Sequence, residues 1–295
     1  MKRIFMILSA IALINSACEK SKPAEETAAV EPKKPPVKLQ LKWETDTLLT
    51  TCESVLFDKD NDVLYVSNIN GAPDGKDGNG FISRVSLEGK ITDVQWVKGL
   101  DAPKGLGISN GKLYVADIDK VHEIDTKTGK VTRTYPVKGA VFLNDISIDS
   151  KGKVYISDSS GGTIYTIEDG KLSTWMKDLN GPNGLLAEDG KFLMALWNGK
   201  SLNSIDTDSR EVTLRTDSID NPDGIESIGG DAYLVSSWNG MVHYVDSDWN
   251  GTIVLDTRAD SLSAADIEYV KEKNLLLVPT FFKNKVMAYE VIKEN

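Results

Sequence analysis

The sequence predicts an all-β fold, a six-bladed β-propeller of four-stranded blades whose last blade is closed by an N-terminal strand. Three observations predict it. A short motif, a Pro or Leu followed by a polar residue, a small or polar residue and an aliphatic one, recurs as APKGLG (102–107), FLNDIS (142–147), GPNGLL (181–186) and NPDGIE (221–226). Aligned with two weaker copies, it marks Glu53, Lys104, Asn144, Asn183, Asp223 and Ala265, spaced by 51, 40, 39, 40 and 42 residues. Repeats of about forty residues that each hold several strands are the signature of propeller blades. Each unit then carries up to four short runs that alternate apolar and polar residues, such as KVYISD and TIYTIED, separated by Gly, Asp and Asn. This is strand patterning, and no twelve-residue helical pattern interrupts it. A parallel or jelly-roll β arrangement is the competing architecture.

Taken in order, the chain opens with Lys2 and Arg3 before the apolar run Ile4 to Ile14 and the small residues Ser16 and Ala17. That is the layout of a signal peptide over residues 1–17. Small residues directly before Cys18 resemble a bacterial lipoprotein signal, which implies lipid attachment at Cys18 and a place in the bacterial cell envelope, periplasmic or at the cell surface. Asn15 departs from the Leu usual at that slot. An ordinary cleaved signal or a short membrane anchor is the alternative. Residues 18–36, rich in Glu, Lys, Ala and Pro, read as the lipidated Cys and a flexible tether. The propeller is expected over 37–295. Its sixth unit has only three strands, near 264–270, 274–279 and 284–292, and the alternating segment Val37 to Thr45 is expected to supply the fourth and remove an open edge.

Composition limits function. The net charge is −10, and −12 without Lys2 and Arg3, so no nucleic-acid partner is expected and membrane contact falls to the lipid anchor alone. Only Cys52 remains beyond Cys18, which excludes an internal disulfide. Cys52 reads as a small packed residue. His122 and His243 occupy one slot in the third strand of their units, away from the axis, and read as structural. The Gly-x-Ser-x-Gly spacing occurs once, as GISNG (107–111), within a strand-and-turn run rather than at a strand-to-helix elbow, so a nucleophilic triad is not expected.

In a propeller the first strand of each blade lines the central channel, so the six motif residues meet at one mouth. Two carboxylates and two carboxamides converging there suit a hard cation bound by oxygen. The alternatives are that Asn and Asp simply begin strands well, or that Lys104 neutralises Glu53 or Asp223 as an ion pair. The long first interval places an extra loop, NINGAPDGKDGNG (68–80), on the same face, where it could cover the mouth or hold a second cation, the alternative being a flexible acidic loop without one. DKDND (58–62) reads as the first blade's inner turn. The same face gathers Phe142, Trp197, Trp238 and Phe281-Phe282, a candidate substrate pocket suited to stacking on a sugar or cyclic ester, with packing between blades as the alternative.

The ring, with the phrases LNDISID, GPNGLL and NPDGIE, resembles the senescence marker protein, regucalcin and gluconolactonase family of six-bladed propellers over residues 37 to 292. The resemblance implies a divalent cation, calcium first with zinc, manganese or magnesium as alternatives, held by Glu53, Asn183 and Asp223, with Asn144 beside it. It implies hydrolysis of a lactone or ester by metal-bound water, Asp223 or less so Glu53 acting as general base, Asn144 orienting, and Lys104 as a second electrophile. Two departures weaken a sugar-lactone substrate: Phe142 stands where family members commonly carry Arg, and Lys104 fills a slot that is often small or apolar. The alternative function is a non-catalytic propeller that binds a ligand or a protein partner at the same mouth.

Overall fold

The structure is a computed structural model, and it describes residues 36–188 and 190–294. The signal peptide, Cys18 and nearly all of the tether lie outside the described residues. The rest forms six four-stranded antiparallel sheets. Blades 1 to 5 occupy residues 52–100, 103–136, 143–176, 182–216 and 222–256, each with its strands in sequence order. Blade 6 combines Glu268–Val270, Leu275–Pro279 and Val286–Lys293 with the N-terminal strand Val37–Glu44, which pairs antiparallel with Val286–Lys293. The ring is thus closed by one strand from the start of the chain laid against three from its end, as the missing fourth strand required. The described residues contain no α-helix, only two short 3-10 turns, and no helix among them is long and apolar enough to cross a membrane.

The alternating runs form strands because one face of each sheet packs on the next blade. Six apolar clusters fill the gaps between successive blades, for example Tyr155, Trp175 and Phe192, whose ring centroids lie 4.9 to 5.0 Å apart between blades 3 and 4. The hairpin turns are built on Asp: Asp58 accepts the N–H groups of Asp60 and Asn61, and Asp125, Asp149, Asp206 and Asp246 do the same in other blades. DKDND is therefore the inner turn of blade 1.

One element is shorter than its sequence suggests. The inner strand of blade 6, expected from residue 264, begins only at Glu268. Ala265 still donates its N–H to the Pro279 carbonyl of its own blade, but Asp266 donates to the Glu53 carbonyl of blade 1, so the regular ladder of blade 6 is interrupted there and resumes at Glu268.

Candidate functional site

The motif that looks like a hairpin turn is the start of an inner strand in each copy: Pro103–Ser109, Leu143–Ile148, Pro182–Glu188 and Pro222–Gly229. Carboxylates fix the backbone at two of these entries. Asp117 accepts the N–H groups of Asp101 and Ala102 before Lys104, and Asp158 accepts those of Val141 and Phe142 before Asn144. The glycines after the motif residues let the inner strands approach: a Cβ on Gly184 would overlap the Asp223 carbonyl oxygen, and one on Gly105 would sit 2.5 Å from the Asp145 Cα.

At the mouth a cavity of about 520 Å³ brings together Glu53, Lys104, Phe142, Asn144, Asn183, Trp197, Asp223, Trp238, Phe281 and Phe282, all singled out from the sequence, and leaves only Ala265 of the ring outside its lining. Glu53, Asn183, Asp223 and Lys104 are buried at its base. Asn183 donates from Nδ2 to Asp223 Oδ1 at 3.0 Å, which turns its Oδ1 away from that carboxylate. Asn183 Oδ1 and Glu53 Oε2 are both buried with no hydrogen-bond partner. Two acceptors without a donor are costly in a low-dielectric site. Burial raises the Glu53 carboxyl well above the carboxylate range, with the Asp223 charge adding to it. Asp223 is pushed up to about 8 by burial and by the Asp145 charge, against which the Asn183 bond works. A bound cation would relieve all of these together, so the all-oxygen donor set fits a hard divalent cation. Among the described residues no three or more His, Cys, Asp or Glu side chains are grouped to hold a metal ion, so such a site would depend on the Asn183 carboxamide as its third donor.

Lys104 takes neither of the arrangements expected of an ion pair. Its Nζ donates to the Ala102 carbonyl at 2.9 Å and lies 4.2 Å from the Phe142 ring centroid, and no contact ion pair with Glu53 or Asp223 occurs among the described residues. Desolvation lowers its pKa to about 8 despite the attraction of Glu53. Asn144 donates to Ser159 Oγ at 3.1 Å, and that hydroxyl donates on to the Pro182 carbonyl at 2.8 Å. The residue-68–80 loop reaches the cavity through Pro73 and is tied to blade 2 by Lys76 to Asp119 at 2.6 Å and by the Gly78 N–H to Asp101. The remaining residues keep their structural readings. His122 Nε2 lies 3.1 Å from Asp117 in the third strand of blade 2, His243 holds the matching slot in blade 5, and Cys52 is buried with its thiol pushed up to about 12.

Sequence reasoning missed a second tier just below the ring. Asp145 accepts the N–H groups of Ile146 and Leu185, the latter from the next blade, at 2.6 Å each. Asp266 accepts from Ser54 Oγ at 2.6 Å, Glu226 from the Tyr269 backbone and Glu268 from the Phe57 backbone. These four line a narrower cavity deeper in the channel. The signal was available: they lie one and three residues after a ring position, on the opposite strand face. Also unforeseen were Ser159 and Ser160, which enter the mouth from a loop outside the motif.

No protein-family model matches the chain, and no curated protein matches it. Solved structures do. The chain is similar to a catalytically inactive variant of virginiamycin B lyase from Staphylococcus aureus with quinupristin, at 16% identity and a TM-score of 0.60, covering 87% of this chain and 100% of that one. A streptogramin B lyase aligns at 11% identity and a TM-score of 0.61, covering 87% and 97%. A gluconolactonase-like protein aligns at 14% identity and a TM-score of 0.64, covering 88% and 93%. At these identities the likeness establishes a fold shared by lyases and a hydrolase-type protein, and no more.

Proposed function

We propose that the protein is a divalent-cation-dependent hydrolase of a lactone or ester, of the regucalcin and gluconolactonase type, carried on a lipid anchor at Cys18 in the bacterial cell envelope. The observation that carries the reading is the pair of buried, unpartnered oxygens, Glu53 Oε2 and Asn183 Oδ1, beside Asp223 at the base of the mouth cavity.

Glu53, Asn183 and Asp223 would hold the cation, calcium before zinc, manganese or magnesium. Bound there, the cation supplies Lewis acidity toward a carbonyl and acidifies water. Asp223 keeps one oxygen on the Asn183 amide and offers the other to take a proton from the attacking water. Asn144, anchored through Ser159, presents an amide to orient that water or the ring oxygen. Lys104, pinned beneath Phe142, adds fixed positive charge beside the developing oxyanion. The aromatic side of the cavity excludes bulk water, which strengthens each of these interactions.

The test is a panel of lactones and aryl esters assayed with calcium and with chelator. Turnover that requires the cation and disappears in Asp223→Ala with the fold retained supports the reading. Cation binding without turnover across the panel would replace it with the second reading, a propeller that binds a ligand or protein partner. That alternative draws support from Lys104, whose ammonium rests on Phe142 and Ala102 O rather than pointing at the carboxylates.

A further inference from the structure

The two sides of the mouth cavity differ in chemistry. Blades 2, 3 and 4 supply its amides, hydroxyls and amine, whereas Trp197, Trp238, Phe281 and Phe282 form one continuous aromatic wall across blades 4, 5 and 6. Their rings meet edge to face: Trp197 and Trp238 at 6.3 Å, Trp238 and Phe281 at 5.5 Å, Trp238 and Phe282 at 6.0 Å, Phe281 and Phe282 at 4.7 Å.

Two details fix how this wall is presented to the cavity. Phe281 sits at φ 50°, a left-handed conformation that is a genuine outlier for a bulky residue. The matching connections of blades 1, 4 and 5 place Asn70, Lys200 and Gly240 in this conformation, and blade 2 places the buried Ile118 there at φ 53°, so the turn recurs around the ring and blade 6 is where it carries an aromatic residue. The Phe281 ring offsets that strain by filling a small cluster under the mouth with Ile69, Ala102, Ile118, Ala265 and Trp238. The turn it makes then holds the following ring, Phe282, 61% exposed at the cavity rim. An aromatic ring fixed in this way gains from being covered, and the cavity is where a cover would come from.

We propose that the cavity selects a lactone or ester bearing an apolar substituent, an alkyl chain or aryl group, over a hydroxyl-rich sugar lactone. The carbonyl lies toward Asn183 and Asp223, and the substituent lies against Trp197, Trp238 and Phe282. Much of the polar side is already engaged, and Ser160 and Asn198 are what it keeps for a substrate hydroxyl, against four rings on the other side. The Ser159 hydroxyl is engaged by Asn144 and Pro182, the Lys104 amine by Ala102, and the Phe142 face by Lys104. This selectivity rests on the hydrolase reading for its ester group, and on the wall alone for its apolar group.

The experiment separates the two. Binding of 2-alkylcyclopentanones, which mimic alkyl lactones and cannot be hydrolysed, is measured by calorimetry on the calcium-equilibrated protein from methyl to hexyl. Affinity is expected to rise about fourfold per methylene over the first few carbons. Phe282→Ser should flatten that slope and Phe282→Leu restore part of it, with calcium affinity unchanged in both. A flat series, or a slope indifferent to Phe282→Ser, overturns the inference. Cation-dependent hydrolysis of gluconolactone in preference to γ-alkyl lactones also overturns it and leaves the hydrolase reading standing. Chain-length-dependent binding without turnover of any lactone supports it and removes that reading instead.

Discussion

Asn144 and Asp145 are neighbours on one strand, as are Ala265 and Asp266 on the stretch leading into another, yet the ring at the mouth and the tier below it treat their polar groups in opposite ways. In the lower tier both oxygens of Asp145 receive backbone N–H groups, and Asp266, Glu226 and Glu268 each reach across to the following blade. These carboxylates latch blade to blade, and the glycines beside them make the room: Gly105 faces Asp145 and Gly224 faces Asp266. In the upper ring Glu53 Oε2 and Asn183 Oδ1 have nothing to accept. The difference teaches that an acidic residue in a propeller channel is not by itself a site. What distinguishes the upper ring is an acceptor left over after the fold has been satisfied.

The largest effect that would break this comparison is steric. Gly184→Ala places a Cβ on the Asp223 carbonyl, so it is expected to cost about 3 kcal/mol or more in urea unfolding and to abolish calcium binding by displacing Asp223. Next comes the latch. Asp145→Ala leaves the Ile146 and Leu185 N–H groups unpaired and should cost about 2 kcal/mol while calcium still binds. Asp223→Asn in cation-free protein should hold the thermal midpoint at neutral pH, where the buried carboxyl keeps its proton, and raise it above about pH 8, where a buried charge would otherwise appear. The same midpoint falling by several degrees would place Asp223 among the latches.

pH sharpens the contrast further. The folded protein raises Asp223 from its ordinary 3.8 to about 8, so between those values the native state holds a proton that the unfolded chain has lost. Stability of the cation-free protein should therefore decline as pH rises from about 4 to about 8. Saturating calcium, which binds the ionised carboxylate, should flatten that decline. Thermal melts across the range with chelator and with calcium would check it. At the small end, His122→Gln alters a contact to Asp117, which fixes the Lys104 entry and none of the three oxygen donors, and should cost about 1 kcal/mol with calcium affinity unchanged in titration.

The ring was legible because it repeats: six copies of one motif at near-constant spacing can only converge if each begins an inner strand, and Glu53, Asn144, Asn183 and Asp223 followed from that. The closing strand was legible because Val37–Glu44 alternates and blade 6 lacked a partner. What the sequence hid was the partner of each polar group. Asp145 and Asn144 read alike until the Leu185 N–H is seen to point at the first. Lys104 looked like a counter-ion, yet its amine folds back onto the Ala102 carbonyl two residues earlier and rests on Phe142 at the entry of the next blade, a contact that no local pattern encodes. Ser159 and Ser160 lie in a connection rather than in the motif, so periodicity had no hold on them.

The most direct test of the account is calorimetric titration of calcium, then zinc and manganese, into the protein beside Glu53→Gln, Asp223→Asn and Asp145→Asn. The account predicts one site per chain, lost in the first two variants and retained in the third. Binding that survives Glu53→Gln and Asp223→Asn but not Asp145→Asn would contradict it, as would no binding to the native protein at all.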